Sequence, residues 1–267
     1  MNDKNQRPSR AGIFALGGKV GAKALPWLLK LFKLMKLGKV TLAALSIASY
    51  AYMFTWRFSL ALAVALFVHE SGHIWAMKRY GLRTKGIYFI PFLGAAAVSK
   101  DSFPSRNAEA VIAIAGPIWG GALAAAAALF YLMTRIPEVA AMASMTAMIN
   151  LFNLLPINPL DGGRIVKSIV YSSPDRYTGM LFLSAGMFLS MGLALMGGFA
   201  IFFVLTLAGG IEVAVEWKRA QPLAAMTRRE ICRSTILLVG TATALALLMA
   251  AAALAPGADV AITLLRG

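Results

Sequence analysis

The chain has 267 residues, 59% of them hydrophobic, with a mean hydropathy of +0.72. Soluble domains are apolar over about half their residues or less, so an ordinary soluble fold is excluded and an integral membrane protein is indicated. The formal charge of +15 does not point to nucleic acid, because Lys and Arg fall in short clusters between apolar runs rather than on one soluble face. With Cys232 as its single cysteine, the chain has no intrachain disulfide and no thiolate metal cluster.

In chain order, residues 1–39 carry nine Lys or Arg and one acid, Asp3. Lys30, Lys33 and Lys36 recur at helical spacing within 24–37, which predicts a basic amphipathic helix lying on an anionic leaflet. Apolar runs of spanning length, about 20 residues each, follow at 40–56, 58–77, 108–134, 138–157, 178–196, 198–215 and 234–254. The fold expected is therefore an all-α polytopic membrane protein of about six to seven transmembrane helices. A membrane core is placed at 40–175, with additional helices over 176–267 and a short basic loop at 217–231.

Between the second and third runs, residues 86–105 are too short and too interrupted by Pro91 and Gly94 to span. Their aromatic and β-branched content predicts a short membrane-associated extended segment, β-hairpin or sheet, and non-helical backbone at that depth requires protein or a wet cavity beside it. Basic residues cluster before the first run, after the second (Lys78, Arg79, Arg83, Lys85), at Arg164 and Lys167, and after the sixth (Lys218, Arg219, Arg228, Arg229). The opposite turns hold Arg57 and Arg135 and little else. This bias places the N-terminus in the cytoplasm, in a multi-pass protein of the cell membrane, with the polar motifs towards the cytoplasmic face.

The second run ends in His69, Glu70 and His73, the H-E-x-x-H pattern. Helix positions i and i+4 share a face, so both imidazoles can reach one metal ion while Glu70 flanks it. These are the only two histidines in the chain, so whatever completes a metal site is an oxygen donor. Of the eleven acids, Glu70, Asp161 and Glu212 are read as lying within or at the edge of apolar segments. Asp161 precedes Gly162 and Gly163, which allow close backbone approach beside a carboxylate aimed at a metal; alternatively Asp161 caps the following helix. Glu212 is read as an interfacial charge paired with a nearby Lys or Arg, or as part of a gate.

Two histidines, one carboxylate and an open position make a catalytic rather than a structural site for one zinc ion. Glu70 is then the general base. Asn150 and Asn153 lie one turn apart on one face; Asn153 is a candidate donor to an oxyanion, and Asn150 either contacts substrate or bonds between helices.

The stretches "HESGH" at 69–73, "AGP" at 115–117 and "NLFNLLPINPLDGGR" at 150–164 resemble the site-2 protease family of intramembrane zinc metalloproteases over a core of about residues 58–167. The resemblance implies that His69, His73 and Asp161 bind zinc, that Glu70 is catalytic and that Asn153 helps to hold substrate or oxyanion. It also implies that 86–99 is similar to the family's membrane-associated β-region, where Phe92 and Gly94 are expected substrate contacts. The chain departs from the family at Gly120, where an asparagine is frequent, and at Ala95, where a second glycine is frequent. No PDZ-like or CBS-like module is expected.

The function expected is hydrolysis of peptide bonds within or near transmembrane segments, the partners being transmembrane helices or membrane-tethered peptides and the bilayer. An extended substrate would pair with the edge of the 86–99 region. The alternatives are a cation transporter or channel using the same His/Glu/Asp cluster, a non-catalytic metal-binding scaffold, and a hydrolase of lipidated peptides or lipids. The first lacks the internal symmetry common in transporters; the second has no need of Glu70.

Overall fold

The computed structural model describes residues 38–92, 94–172, 176–197, 200–218 and 223–253; the expected amphipathic helix at 24–37 lies outside them. The described residues form eight helices and one two-stranded sheet: α1 (Lys39–Met53), α2 (Trp56–Arg79), β1 (Thr84–Ile90), β2 (Gly94–Ser99), α3 (Arg106–Thr134), α4 (Pro137–Asn153), α5 (Asp161–Val170), α6 (Arg176–Gly197), α7 (Ala200–Lys218) and α8 (Arg228–Ala253). By length and composition three of these can cross a membrane: α2, α3 and α8. The helical class and the hairpin are as expected. The run expected over 138–157 forms only 17 helical residues, since α4 stops at Asn153, ahead of Pro156, which disfavours helix in the residue before it.

Local chemistry sets the helix ends. Thr55 caps α2 by accepting from the Phe58 amide at 3.3 Å, and Ser105 caps α3 by accepting from Ala108 at 3.1 Å, each satisfying an otherwise unpaired N–H of the first turn. β1 and β2 pair antiparallel, with Ile87 opposite Ala97 and Ile90 opposite Gly94. Phe92 and Gly94 take positive φ at the turn, +66° and +101°, and Gly94 does so without Cβ strain. Arg83 closes the base of the hairpin through its backbone amide and guanidinium on Asp101. Those hydrogen bonds hold the Asp101 carboxyl below its ordinary range.

The helices pack as a bundle in which α3 is central, against α2, α4, α5 and α8. Ala110, Ala113, Ile114, Ala147, Leu154, Ile165 and Leu245 form the largest buried apolar cluster, so α8 closes one side of the core. The α2–α3 approach depends on small residues. A Cβ on Gly72 would lie 2.5 Å from the Ala115 carbonyl oxygen and 2.9 Å from the Trp119 ring, so only glycine permits this separation. On the other side of α2, α1 reaches the hairpin, where Lys39 donates to the Lys85 carbonyl and stands over the Tyr88 ring. A cavity of about 610 Å³, lined by Trp56, Leu60, Val64, Ala141, Met145 and Met148 among others, opens between the N-terminal halves of α2 and α4. None of the histidines or Asp161 lines it.

Candidate metal centre

His69 and His73 project from one face of α2, and Asp161, the first residue of α5, meets them; all three are buried. The Asp161 Oδ2 atom lies 3.1 Å from His69 Nε2 and 3.3 Å from His73 Nε2, and the two Nε2 atoms are 3.1 Å apart. Asp161 is not the helix cap, because Leu160 occupies that position and makes no side-chain cap bond. Its placement rests on the glycines after it. A Cβ on Gly162 would strike the Leu154 and Leu155 carbonyls, and one on Gly163 would strike the backbone of Ile157 and Asn158. The turn carrying the carboxylate is therefore folded back against the end of α4.

The protonation pattern follows from the other ring nitrogens. His73 Nδ1 lies 2.8 Å from the Ile112 carbonyl, which can only accept, so Nδ1 carries the proton. His69 Nδ1 lies 2.8 Å from Asn150 Oδ1, and the Asn150 amide donates to the Thr146 carbonyl at 2.7 Å. That donation fixes which amide atom is oxygen, so His69 Nδ1 also carries its proton. In neutral imidazoles both Nε2 atoms are then bare lone pairs, and they converge on a carboxylate oxygen that is buried without a hydrogen-bond partner. Three acceptors at this separation repel one another unless a cation lies between them.

Zinc satisfies the arrangement. Zn–N and Zn–O bonds of about 2.0–2.2 Å in tetrahedral geometry give ligand-to-ligand edges of about 3.3–3.5 Å, close to the three separations observed. Two imidazoles and one carboxylate leave the fourth position open, as catalytic rather than structural zinc sites do. Glu70, buried beside His69, points to the hairpin, and its Oε2 accepts from the Ala97 amide at 2.5 Å.

Helix α3 supplies the back wall. A Cβ on Gly116 would collide with both imidazoles, and one on Gly120 with the Asn150 side chain. Pro117 cannot donate to the Ala113 carbonyl one turn before it, and the adjacent Ile112 carbonyl serves His73. Gly120, where the resembling family often has asparagine, is thus the position over which Asn150 of α4 lies. Of the two readings given for Asn150, the structure shows the bond between helices: it is fully buried and its Oδ1 meets His69 Nδ1. We predict that Asn150→Ala lowers zinc affinity about 10–100-fold, the usual loss for a partner of a metal-ligating histidine, whereas Asn150→Asp, which keeps an acceptor, retains it. Competition with a chromophoric chelator measures both; equal affinities in Ala variant and wild type would remove the orienting role.

The other expected contacts have the following surroundings. Asn153 is part-buried and its amide donates to its own helix, at Ile149 O, 3.2 Å away. Phe92 is half-exposed at the hairpin turn, and the nearest atom to a Cβ on Gly94 would be Leu66 Cδ2 at 3.8 Å. Two readings of charge are also revised. Glu109, taken as outside the apolar segments, is buried with Arg106 and Lys167, and Lys167, counted as a loop charge, is itself buried. The signal available for Glu109 was the i,i+3 pair with Arg106 at the start of an apolar run. The donation from Ala97 to Glu70 had no sequence signal, because any residue supplies that amide.

Helices long and apolar enough to cross a membrane which, with the start of α5, hold a buried His₂Asp cluster and a glutamate beside it define a membrane protein with a candidate metal centre. The chain belongs to peptidase family M50, the site-2 protease family of metallopeptidases, whose model matches residues 57–139 and 135–193. It is similar to a zinc metalloprotease of Methanocaldococcus jannaschii, 30% identical over 136 residues, 49% of this chain and 39% of the relative, so the match spans about two fifths of that protein's length. The fold is similar to that of the solved site-2 protease from Methanocaldococcus jannaschii, with a TM-score of 0.50 and 23% identity over 70% of this chain and 91% of that one.

Proposed function

We propose that the chain is a zinc metalloendopeptidase that hydrolyses peptide bonds within or near transmembrane segments of membrane-anchored proteins. In this reading it has six to seven spans, a cytoplasmic N-terminus and a site towards the cytoplasmic side of the cell membrane. The observation that carries the proposal is the convergence, 3.1–3.3 Å apart, of two imidazole lone pairs from α2, a helix of membrane length, with the Asp161 carboxylate at the start of α5. His69, His73 and Asp161 would hold the zinc, which when bound supplies Lewis acidity towards an acyl oxygen and towards water.

The chain's own residues do the rest. Asn150 and Ile112 hold the two imidazoles in the tautomer that presents Nε2. Glu70 takes the proton from the attacking water and returns it to the leaving amine. The Ala97 amide that bonds Glu70 is turned away from β1, so β2 presents an edge to the carboxylate side of α2. In an antiparallel strand alternate residues face the same edge, which puts Ala95 there as well. A substrate strand laid along this edge would pass beside Glu70 with its register set by backbone bonds.

A peptide bond inside a helix is shielded by its own hydrogen bonds, so local unwinding must precede attack. Each Gly→Leu replacement near the scissile bond stabilises helix by somewhat less than the Gly-to-Ala difference of about 0.8–1 kcal/mol and is expected to slow cleavage about two- to fourfold. The test is mass-spectrometric mapping of a labelled transmembrane peptide cut by the zinc-loaded protein in detergent. Cleavage confined to flanking polar sequence, or a rate indifferent to added leucine, would sink the transmembrane-substrate reading.

A further inference from the structure

Glu212 belongs to α7, beyond the residues matched by the family model. An ionisable side chain in so apolar a helix is costly unless it has partners and a purpose. Its partners lie on both flanks of the turn that carries Asp161. One carboxylate oxygen accepts from the Asn158 amide at 2.7 Å, three residues before the ligand. The other accepts from Lys167, six residues after it and in the same short helix. Gly209, one turn earlier on α7, permits the approach, since a Cβ there would lie 2.9 Å from the Asn158 carbonyl oxygen.

The rest of the cluster is made of charged groups. Lys167 also meets Glu109 at 2.6 Å, Glu109 meets Arg106 at 3.1 Å, and Ser168 donates to Glu109 at 3.3 Å. With Arg164 close to both carboxylates, three cations face two anions. Charge balance does not explain why Glu212 spends its second oxygen on Asn158, whose own Oδ1 is buried without a partner.

We propose that Glu212 is a positioning residue for the metal centre, a carboxylate brace that grips Asn158 and Lys167 and thereby sets where the Asp161 carboxylate stands. The inference rests on the zinc reading given above. Because α7 packs chiefly on α6, the brace also makes the position of that helix pair felt at the third ligand.

The test uses the full chain in detergent, titrated with Co²⁺ as a spectroscopic substitute and with zinc against a chelator, together with peptide cleavage. Glu212→Leu removes both arms, and Asn158→Ala removes the loop-side arm without disturbing any charge. Both are expected to weaken metal binding about 10–100-fold, to alter the Co²⁺ visible band, and to lower kcat with little change in KM. Lys167→Met combined with Glu212→Leu removes the ion pair whole, and is expected to stay weak in metal binding. Wild-type affinity and an unchanged cobalt band in Asn158→Ala would overturn the proposal, as would recovery in the double variant, which would reduce Glu212 to charge balance. Should Glu212→Leu fail to fold, Asn158→Ala decides. A wild-type protein that binds no Co²⁺ fails the zinc reading itself, whereas one that binds it but cleaves nothing leaves the brace fully testable by affinity and spectrum.

Discussion

Glu70→Gln is expected to retain one zinc ion per chain and to lose about 10²–10⁴-fold in kcat, the usual contribution of a positioned general base. The division rests on geometry. The metal would be held by His69, His73 and Asp161, whose donor atoms lie within 3.3 Å of one another, whereas Glu70 points to the hairpin and bonds the Ala97 amide. Glutamine preserves size and an oxygen acceptor for that amide, so the fold and the hairpin contact survive while proton acceptance does not. Metal analysis and cleavage of labelled transmembrane peptides, run side by side, check the result. Full activity in the variant would remove Glu70 from the proton path, and loss of zinc would make it a ligand.

The second large effect is expected at a residue with no side chain. A methyl group on Gly116 would overlap both imidazoles at distances no real Cβ adopts, and the helix backbone behind it cannot retreat without opening the α2–α3 contact that Gly72 permits. Overpacking of this kind costs about 1–3 kcal/mol, and the atoms that yield are the ligands themselves. Gly116→Ala should therefore lower zinc affinity by at least about 10–100-fold and take cleavage down with it. Gly240→Ala in α8 is the matched control, because nothing lies within 4 Å of the added methyl and alanine favours helix over glycine by about 1 kcal/mol. Thermal denaturation with and without a chelator separates the effects: the Gly116 variant should lose its metal-dependent stabilisation, and the Gly240 variant should keep it. Equal zinc affinity in Gly116→Ala and wild type would contradict the packing described.

Much of this site was legible before any coordinates. The ligand pair is local: a four-residue separation on a helix brings two side chains to one face whatever the surroundings, so His69 and His73 declared themselves. Composition excluded a soluble fold for an equally direct reason, since every apolar run must be hidden from water. With two histidines and few acids in apolar surroundings, Asp161 could be reached by elimination, and its paired glycines matched the close backbone approach later found. The hairpin at Thr84–Ile90 and Gly94–Ser99 was readable from residue type and from breakers at its turn.

What composition and spacing did not reveal depends on contacts between elements far apart in the chain. Spacing on one helix face left Asn150 open between a substrate contact and a bond between helices; its direction was decided by Gly120, which lets α3 come close enough for the amide to lie over it and reach His69. Glu109 was not counted among the acids of the apolar segments and Lys167 was counted with the basic clusters between them, yet packing of α3 against α5 buries them as partners. The count of spanning helices also exceeded the three that length and composition support among the described residues. Sequence by itself determined which residues could ligate, which runs needed apolar surroundings and where the backbone had to break, because those follow from local spacing and transfer free energy. Only the tertiary structure decided the tautomers of the two histidines, the wall of Gly116 behind them and the partners of Glu212, because a hydrogen bond or a collision exists only once two distant segments share the same few ångströms.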